Sequence, residues 1–170
     1  MRCANFAAKP ANDARQPRNS TMSATETTLI ICPTCTTANR LPRAKLGAGG
    51  KCGRCGSALF DGHPITLGSA NFDAHLSKSS IPLLVDFWAS WCGPCRQMEP
   101  AFEAATGQLE PYMRLGKLDT EAEQEIAARF AIRSIPTMIL FAGSKEVARQ
   151  SGAMPASAIV SWARQALSPR

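Results

Sequence analysis

VDFWASWCGPC, residues 85–95, joins an apolar run holding a single acid to two cysteines three positions apart. The run from Pro82 to Ala89 is too short for an isolated helix. It is apolar on both alternating faces, which reads as a central strand buried on both sides. Behind it, CRQMEPAFEAATGQL (95–109) sets Met98, Phe102, Ala105 and Leu109 at helical spacing, with Pro100 inside, where a kink is expected. Cys92 and Cys95 therefore lie where a buried strand ends and a helix begins.

Strand and helix signals alternate on either side. Ile65–Leu67 reads as a short strand and Asn71–Leu76 as a short helix. Met113–Leu118 is a further strand, and Glu121–Phe130 is an amphipathic helix facing inward with Ile126, Ala127 and Phe130. Pro136–Phe141 and Glu146–Gln150 form a hairpin turning at Gly143-Ser144, and Ala156–Leu167 closes the series as a helix. The order β-α-β-α-β-α-β-β-α predicts an α/β domain over residues 64–170, with a mixed central sheet flanked by helices.

Six of the seven cysteines form C-x2-C pairs. Cys32 and Cys35 stand sixteen residues from Cys52 and Cys55, giving C-x2-C-x16-C-x2-C, the spacing of a zinc ribbon. Each pair would form a tight knuckle offering two thiolates, and four thiolates close a tetrahedral site, so the metal would be structural. Two local disulfides are the competing reading. Leu29-Ile30-Ile31 reads as a strand entering the first knuckle, and Gly53 and Gly56 are expected to supply positive backbone angles. Gly47-Ala48-Gly49-Gly50 is the turn before the second knuckle, with Lys51 and Arg54 as positive charges beside it. So small a segment, 22–63, could hardly fold on its own apolar core, which favours zinc as its organiser. Asp61-Gly62-His63-Pro64 reads as the junction, with His63 a linker residue rather than a fifth ligand.

The net charge of +6 is unevenly placed. Residues 65–170 balance ten basic against ten acidic side chains, and residues 1–64 hold nine against three. Four zinc-bound thiolates would cancel part of that excess, so nucleic acid is not an expected partner. The first 21 residues read as a disordered tail, or as an upstream extension of a chain starting at Met22, and resemble a transit peptide only weakly. Cys3 there is incidental. No run of about 18 apolar residues occurs, so no membrane span is expected. Without a secretory signal the default compartment is the cytoplasm, where paired cysteines are more often ligands or catalytic thiols than structural disulfides.

At the start of a helix, Cys92 would meet unpaired N–H groups and the positive end of the helix dipole, both of which favour its thiolate. Pro94 falls where a helical N–H has no partner anyway. Cysteines three apart within a helix have Cβ atoms about 5–6 Å apart, beyond disulfide reach, so the first turn must adapt. Asp86, a carboxylate in an apolar strand, is the candidate proton acceptor, its pKa raised by burial. A strand-end acid at the surface is the bland alternative.

VDFWASWCGPC resembles the active-site segment of thioredoxins, and RSIPTMILF (133–141) resembles their cis-proline loop and the strand after it. The resemblance covers residues 65–168, and with the CPTC…CGRC ribbon the stretch 29–168 resembles the zinc-ribbon thioredoxins, often called thioredoxin 2. It implies a thioredoxin fold with an N-terminal zinc ribbon, and a protein-disulfide reductase. In that scheme Cys92 attacks, Cys95 resolves and Asp86 takes the proton. Trp91, Gly93, Pro94, Ile135, Pro136 and Gly152 form the substrate surface. Lys117 resembles the lysine beside that aspartate, with an ordinary exposed lysine as the alternative. Arg96 stands where many relatives have lysine; Trp88 and Trp162 read as packing residues. One structural Zn2+ per chain is implied, on Cys32, Cys35, Cys52 and Cys55, with no tightly bound organic cofactor. The implied partners are disulfide-containing proteins and a flavin- and NADPH-dependent thioredoxin reductase, for a cytoplasmic monomer. Oxidant-driven release of zinc, tied to oxidative stress, is an added possibility. A non-enzymatic binding module would suit a degenerate site better than this complete one.

Overall fold

Thr27–Ile31 (β1) and Ala38–Pro42 (β2) pair antiparallel, Thr27 opposite Pro42 and Ile31 opposite Ala38, in a computed structural model that describes residues 26–168. The apolar Leu29-Ile30-Ile31 signals β1. Nothing in ANRLP signals β2, whose residues alternate between exposed and half-buried. Its pairing is set by the knuckle between the two strands, where Cys32 accepts from the Thr36 N–H and donates its own to Thr37. The expected tail over 1–21, with Cys3, lies outside the described residues.

The second unit contains Ile65–Leu67 (β3), Phe72–Lys78 (α1), Leu83–Trp88 (β4), Gly93–Leu109 (α2), Arg114–Asp119 (β5), Gln124–Arg129 (α3), Thr137–Ala142 (β6), Lys145–Ser151 (β7) and Ala156–Leu167 (α4). Its five strands lie in the order β3-β5-β4-β6-β7. β4 is central, parallel to β5 and antiparallel to β6, and five of its six residues are buried. Strand periodicity then sorts the core into two layers. Leu84, Leu115, Met138 and Leu140 face α2 and α4, meeting Met98, Phe102, Leu109, Ile159 and Ala163. Leu83, Val85, Phe87, Ile139 and Phe141 face the other way, toward Phe72 and Leu76 of α1 and Ile126 of α3. Phe130 packs between Phe72 and Phe141, with ring centroids 5.5 and 5.0 Å away.

Three details depart from the sequence reading. The helix expected over Glu121–Phe130 begins only at Gln124, because Asp119 Oδ1 accepts the Glu121 N–H at 2.9 Å and holds a turn there. In the knuckles, Gly56 has φ +76° as expected but Gly53 does not adopt a positive angle. The first knuckle instead places Thr36 at φ +56°. His63 is also more than a linker, with its Nδ1 2.6 Å from Glu103 Oε1 on an exposed face.

The ribbon has its own small core of Ile30, Cys32, Leu46, Cys52 and Leu59, completed by Ile81 from the segment leading into β4. Leu29 and Ser80 join the two units, the Ser80 N–H donating to the Leu29 carbonyl at 2.9 Å and the Leu29 N–H to Ser80 Oγ at 3.0 Å.

Candidate active site and metal centre

Cys92 ends the loop after β4 and caps α2 with extended backbone angles, φ −80° and ψ +106°. It is therefore outside the helix, so its Cβ is not held in the helical direction; the two Cα atoms lie 5.3 Å apart and the cysteines are joined in a disulfide. Cys92 Sγ accepts the Cys95 N–H at 3.2 Å, so a helix N-terminal donor already points at the first sulfur. Both cysteines are buried in this oxidised form, while Trp91 beside them is 68% exposed. Gly93 is half-buried and Pro94 exposed.

The antiparallel pairing of β4 with β6 sets Phe87 opposite Thr137, so the loop before β6 lies at the end of β4 that leads to Cys92. The Ile135–Pro136 peptide is cis, and the Ile135 carbonyl oxygen is 3.8 Å from Cys92 Sγ. Gly152, at φ +95°, donates its N–H to the Pro136 carbonyl at 2.9 Å. Thr137 Oγ1 buttresses the loop from inside, donating to Ser134 O at 2.7 Å and lying 2.9 Å from Ser151 Oγ. Trp91 and Ile135 line one side of a cleft of about 570 Å³ whose other wall is α3. Trp91, Gly93 and Pro94 thus adjoin the disulfide along the chain, Ile135 meets it through its carbonyl, and Pro136 and Gly152 are tied into the same loop. The cleft also takes in Ala128 and Ile132, which carried no sequence signal, and Ala127, which was expected to face the core.

Asp86 is fully buried, and neither of its carboxylate oxygens has a hydrogen-bond partner among the described residues. Burial pushes its carboxyl up to about 7; Lys117 opposes the rise and Glu99 adds to it. Lys117 is neither exposed nor paired with Asp86. It forms an ion pair with Glu99 of α2 and lies 4.3 Å from the centroid of the Trp88 ring. Glu99 was invisible as a site residue in the sequence; its only signal is that it falls one helical turn beyond Cys95.

The sulfurs of Cys32, Cys35, Cys52 and Cys55 lie within 4.8 Å of one another, and none of the four is in a disulfide. Cys32 to Cys55 and Cys35 to Cys52 are each 3.6 Å. A tetrahedron of Zn–S bonds near 2.3 Å has sulfur–sulfur edges of roughly 3.8 Å, so the four sulfurs are gathered at about the spacing that ion requires. Backbone N–H groups of Cys55 and Arg54 pull the Cys52 thiol down to about 6, whereas burial pushes Cys32 up to about 11. Asn39 ties the two knuckles together: its Nδ2 donates to Cys52 Sγ at 3.6 Å and to Thr37 O at 2.9 Å, and its Oδ1 accepts the Gly53 N–H at 2.9 Å. Such contacts from outside the ligand set orient thiolates, and this one had no sequence signal.

Comparison with known proteins agrees with this geometry. The family model for thioredoxin matches residues 63–165, and the model described as "Thioredoxin 2, N-terminal" matches residues 31–57. Thioredoxin C-3 of Corynebacterium nephridii is 42% identical over 139 residues, covering 82% of this chain and 95% of that protein. A bifunctional thioredoxin reductase/thioredoxin of Mycobacterium leprae (strain TN) is 40% identical over 99 residues, which are 58% of this chain but only 22% of that protein. Among solved structures, a mutant thioredoxin from Halobacterium salinarum NRC-1 superposes with a TM-score of 0.58 at 26% identity, over 65% of this chain and 96% of that one. With matches spanning both the ribbon and the five-stranded sheet, the chain belongs to the thioredoxin family as a zinc-ribbon member, and with it to the thiol-disulfide oxidoreductases.

Proposed function

We propose that the protein reduces disulfides in other proteins through Cys92 and Cys95. The observation that carries this reading is the convergence of a helix N-terminus and a cis-proline loop on one cysteine pair. In the reduced form the Cys92 thiolate attacks a substrate sulfur, forming a mixed disulfide and expelling the other substrate sulfur as thiolate. Cys95 then loses its proton, with Asp86 as acceptor, and its thiolate attacks Cys92 Sγ. The substrate's second sulfur leaves as thiolate, and the enzyme is left with the Cys92–Cys95 disulfide and two fewer electrons. Trp91, Gly93, Pro94 and Ile135 bound the apolar surface on which a flexible substrate segment lies. Gly152 and Pro136 hold the loop whose backbone meets it in extended form.

An NADPH-dependent thioredoxin reductase is the proposed electron source; a relative that carries thioredoxin and its reductase in one chain supports that pairing. One Zn2+ per chain on Cys32, Cys35, Cys52 and Cys55 would order the ribbon, its coordination closed by the four thiolates. The setting proposed is a cytoplasmic monomer; four thiols left unpaired suit a reducing compartment. Cys55 is exposed, which favours a second function for the same cluster, oxidant-sensitive release of zinc. Bound zinc measured before and after peroxide tests it, and unchanged zinc would sink that reading.

The direct test of the dithiol chemistry is trapping. A Cys95→Ser variant should accumulate a covalent adduct with a disulfide substrate through Cys92, reversible by dithiothreitol. A Cys92→Ser variant should form none.

A further inference from the structure

Asp86 and Lys117 occupy matched positions on neighbouring parallel strands, so their side chains leave the same face of the sheet one strand spacing apart. An ion pair between them would be the simplest outcome, and it does not form. Neither Asp86 oxygen has a hydrogen-bond partner among the described residues, while the Lys117 ammonium meets Glu99 and the Trp88 ring. Glu99 stands on α2 one turn beyond Cys95, on the helix that covers this face of the sheet. Three contacts therefore compete for one ammonium, and two of them draw it away from the buried acid.

We infer that Glu99 is a positioning residue: by holding Lys117 against Trp88 it keeps the ammonium from closing an ion pair on Asp86, and so leaves that carboxyl free to take a proton. The inference rests on Asp86 serving the Cys95 proton transfer proposed above. The other charges on the elements around Asp86 are exposed or engaged elsewhere. β6 offers Thr137–Ala142, none of it ionisable, and the rest of β4 is apolar. Of the other charges on α2, Arg96 is exposed and Glu103 pairs with His63, while Cys95 is tied up in the disulfide. On β5, Arg114 pairs with Glu110 and Asp119 Oδ1 accepts the Glu121 N–H, and α4 contributes only Arg164, which donates to the Gln108 carbonyl. Lys117 and Glu99 are thus the charges that set the field at Asp86, which matches the opposing directions in which they move its carboxyl. Glu99 is about half-exposed and its direct repulsion of Asp86 is screened by water, whereas Lys117 is largely withdrawn from it. The stronger route therefore runs through the lysine.

The test titrates the Asp86 carboxyl in the oxidised full-length protein by carbon NMR of labelled aspartate, with Asp86→Asn identifying the signal. Glu99→Gln frees the ammonium to turn inward, and the Asp86 midpoint should fall by roughly one unit. Lys117→Met should raise it, and Glu99→Gln added to Lys117→Met should move it little further. An unchanged midpoint in Glu99→Gln overturns the inference. So does an equal shift with and without Lys117, since Glu99 would then act by direct repulsion. Glu99→Asp, which keeps the charge, should restore most of the wild-type midpoint. None of these readings depends on turnover, so insulin reduction by the wild-type protein judges the proposed function separately.

Discussion

Glu110 and Arg114 face each other at 2.6 Å with both side chains almost wholly withdrawn from water. They stand where α2 gives way to β5, but what they hold is the ribbon. Glu110 Oε2 accepts the Gly62 N–H at 3.0 Å, Arg114 donates to the Leu59 carbonyl, and its guanidinium lies 4.4 Å over the Phe60 ring. The stretch Leu59–Gly62, directly after the second knuckle, is thereby fastened to the thioredoxin domain. Removing one member of a buried pair strands the other, so Arg114→Met should destabilise the protein by about 3–5 kcal/mol. Combining it with Glu110→Gln should recover part of the loss. The exposed pair Arg129–Asp73 is the control, and Arg129→Ala should cost under about 1 kcal/mol. Urea unfolding of the four proteins checks all three values.

Burial of Asp86 also has a consequence for stability. Its carboxyl is raised to about 7 from 3.8, so the folded state holds a proton that the unfolded chain releases. Its contribution is neutral below about pH 4 and becomes a growing penalty as pH rises toward 7. His75 works in the opposite sense: burial, aided by Arg114, lowers it to about 4 from 6.5. Protonating the unfolded chain below about pH 6.5 therefore costs folded stability. The two slopes partly cancel in the wild type. Comparison with Asp86→Asn isolates the first, and urea unfolding should show the variant gaining on wild type by up to about 4 kcal/mol between pH 4 and pH 8.

Asn39 offers a prediction for the metal centre. Its side chain bridges Cys52 Sγ, Thr37 O and Gly53 N without being a ligand itself. Asn39→Ala should weaken zinc retention by roughly tenfold or more, read by competition with a chromophoric chelator, while insulin reduction stays near wild type.

These cases show where sequence reading reached and where it stopped. The central strand, α2 and the cysteine pairs were legible because each is a local pattern, an apolar run, a helical period or a spacing. Asp86 was legible too, as one acid inside an apolar run. β2 was not, since Ala38–Pro42 pairs through the knuckle rather than through apolar alternation. Nor were Glu110 and Arg114, whose partners Leu59 and Gly62 lie about fifty positions away and meet them only once the ribbon docks. Glu99 and Asn39 escaped for the same reason. Each is an ordinary polar residue in sequence and acquires its role from a neighbour on another element.

Trp91 presents a large apolar surface to water beside the disulfide and lines the cleft against α3. Trp91→Ala should raise KM for a protein disulfide roughly tenfold, with little change toward a small disulfide reagent that makes no use of the cleft. Steady-state rates with both substrates separate surface recognition from chemistry.

The account stands on Cys92 and Cys95 carrying the chemistry while Cys32, Cys35, Cys52 and Cys55 carry the metal. NADPH-coupled reduction of insulin by wild type, Cys92→Ser and Cys95→Ser, with zinc quantified in each preparation, addresses both halves at once. The expected result is turnover in wild type, none in either variant, and one zinc per chain in all three. Turnover surviving in Cys92→Ser would contradict the account, and so would zinc lost from either variant.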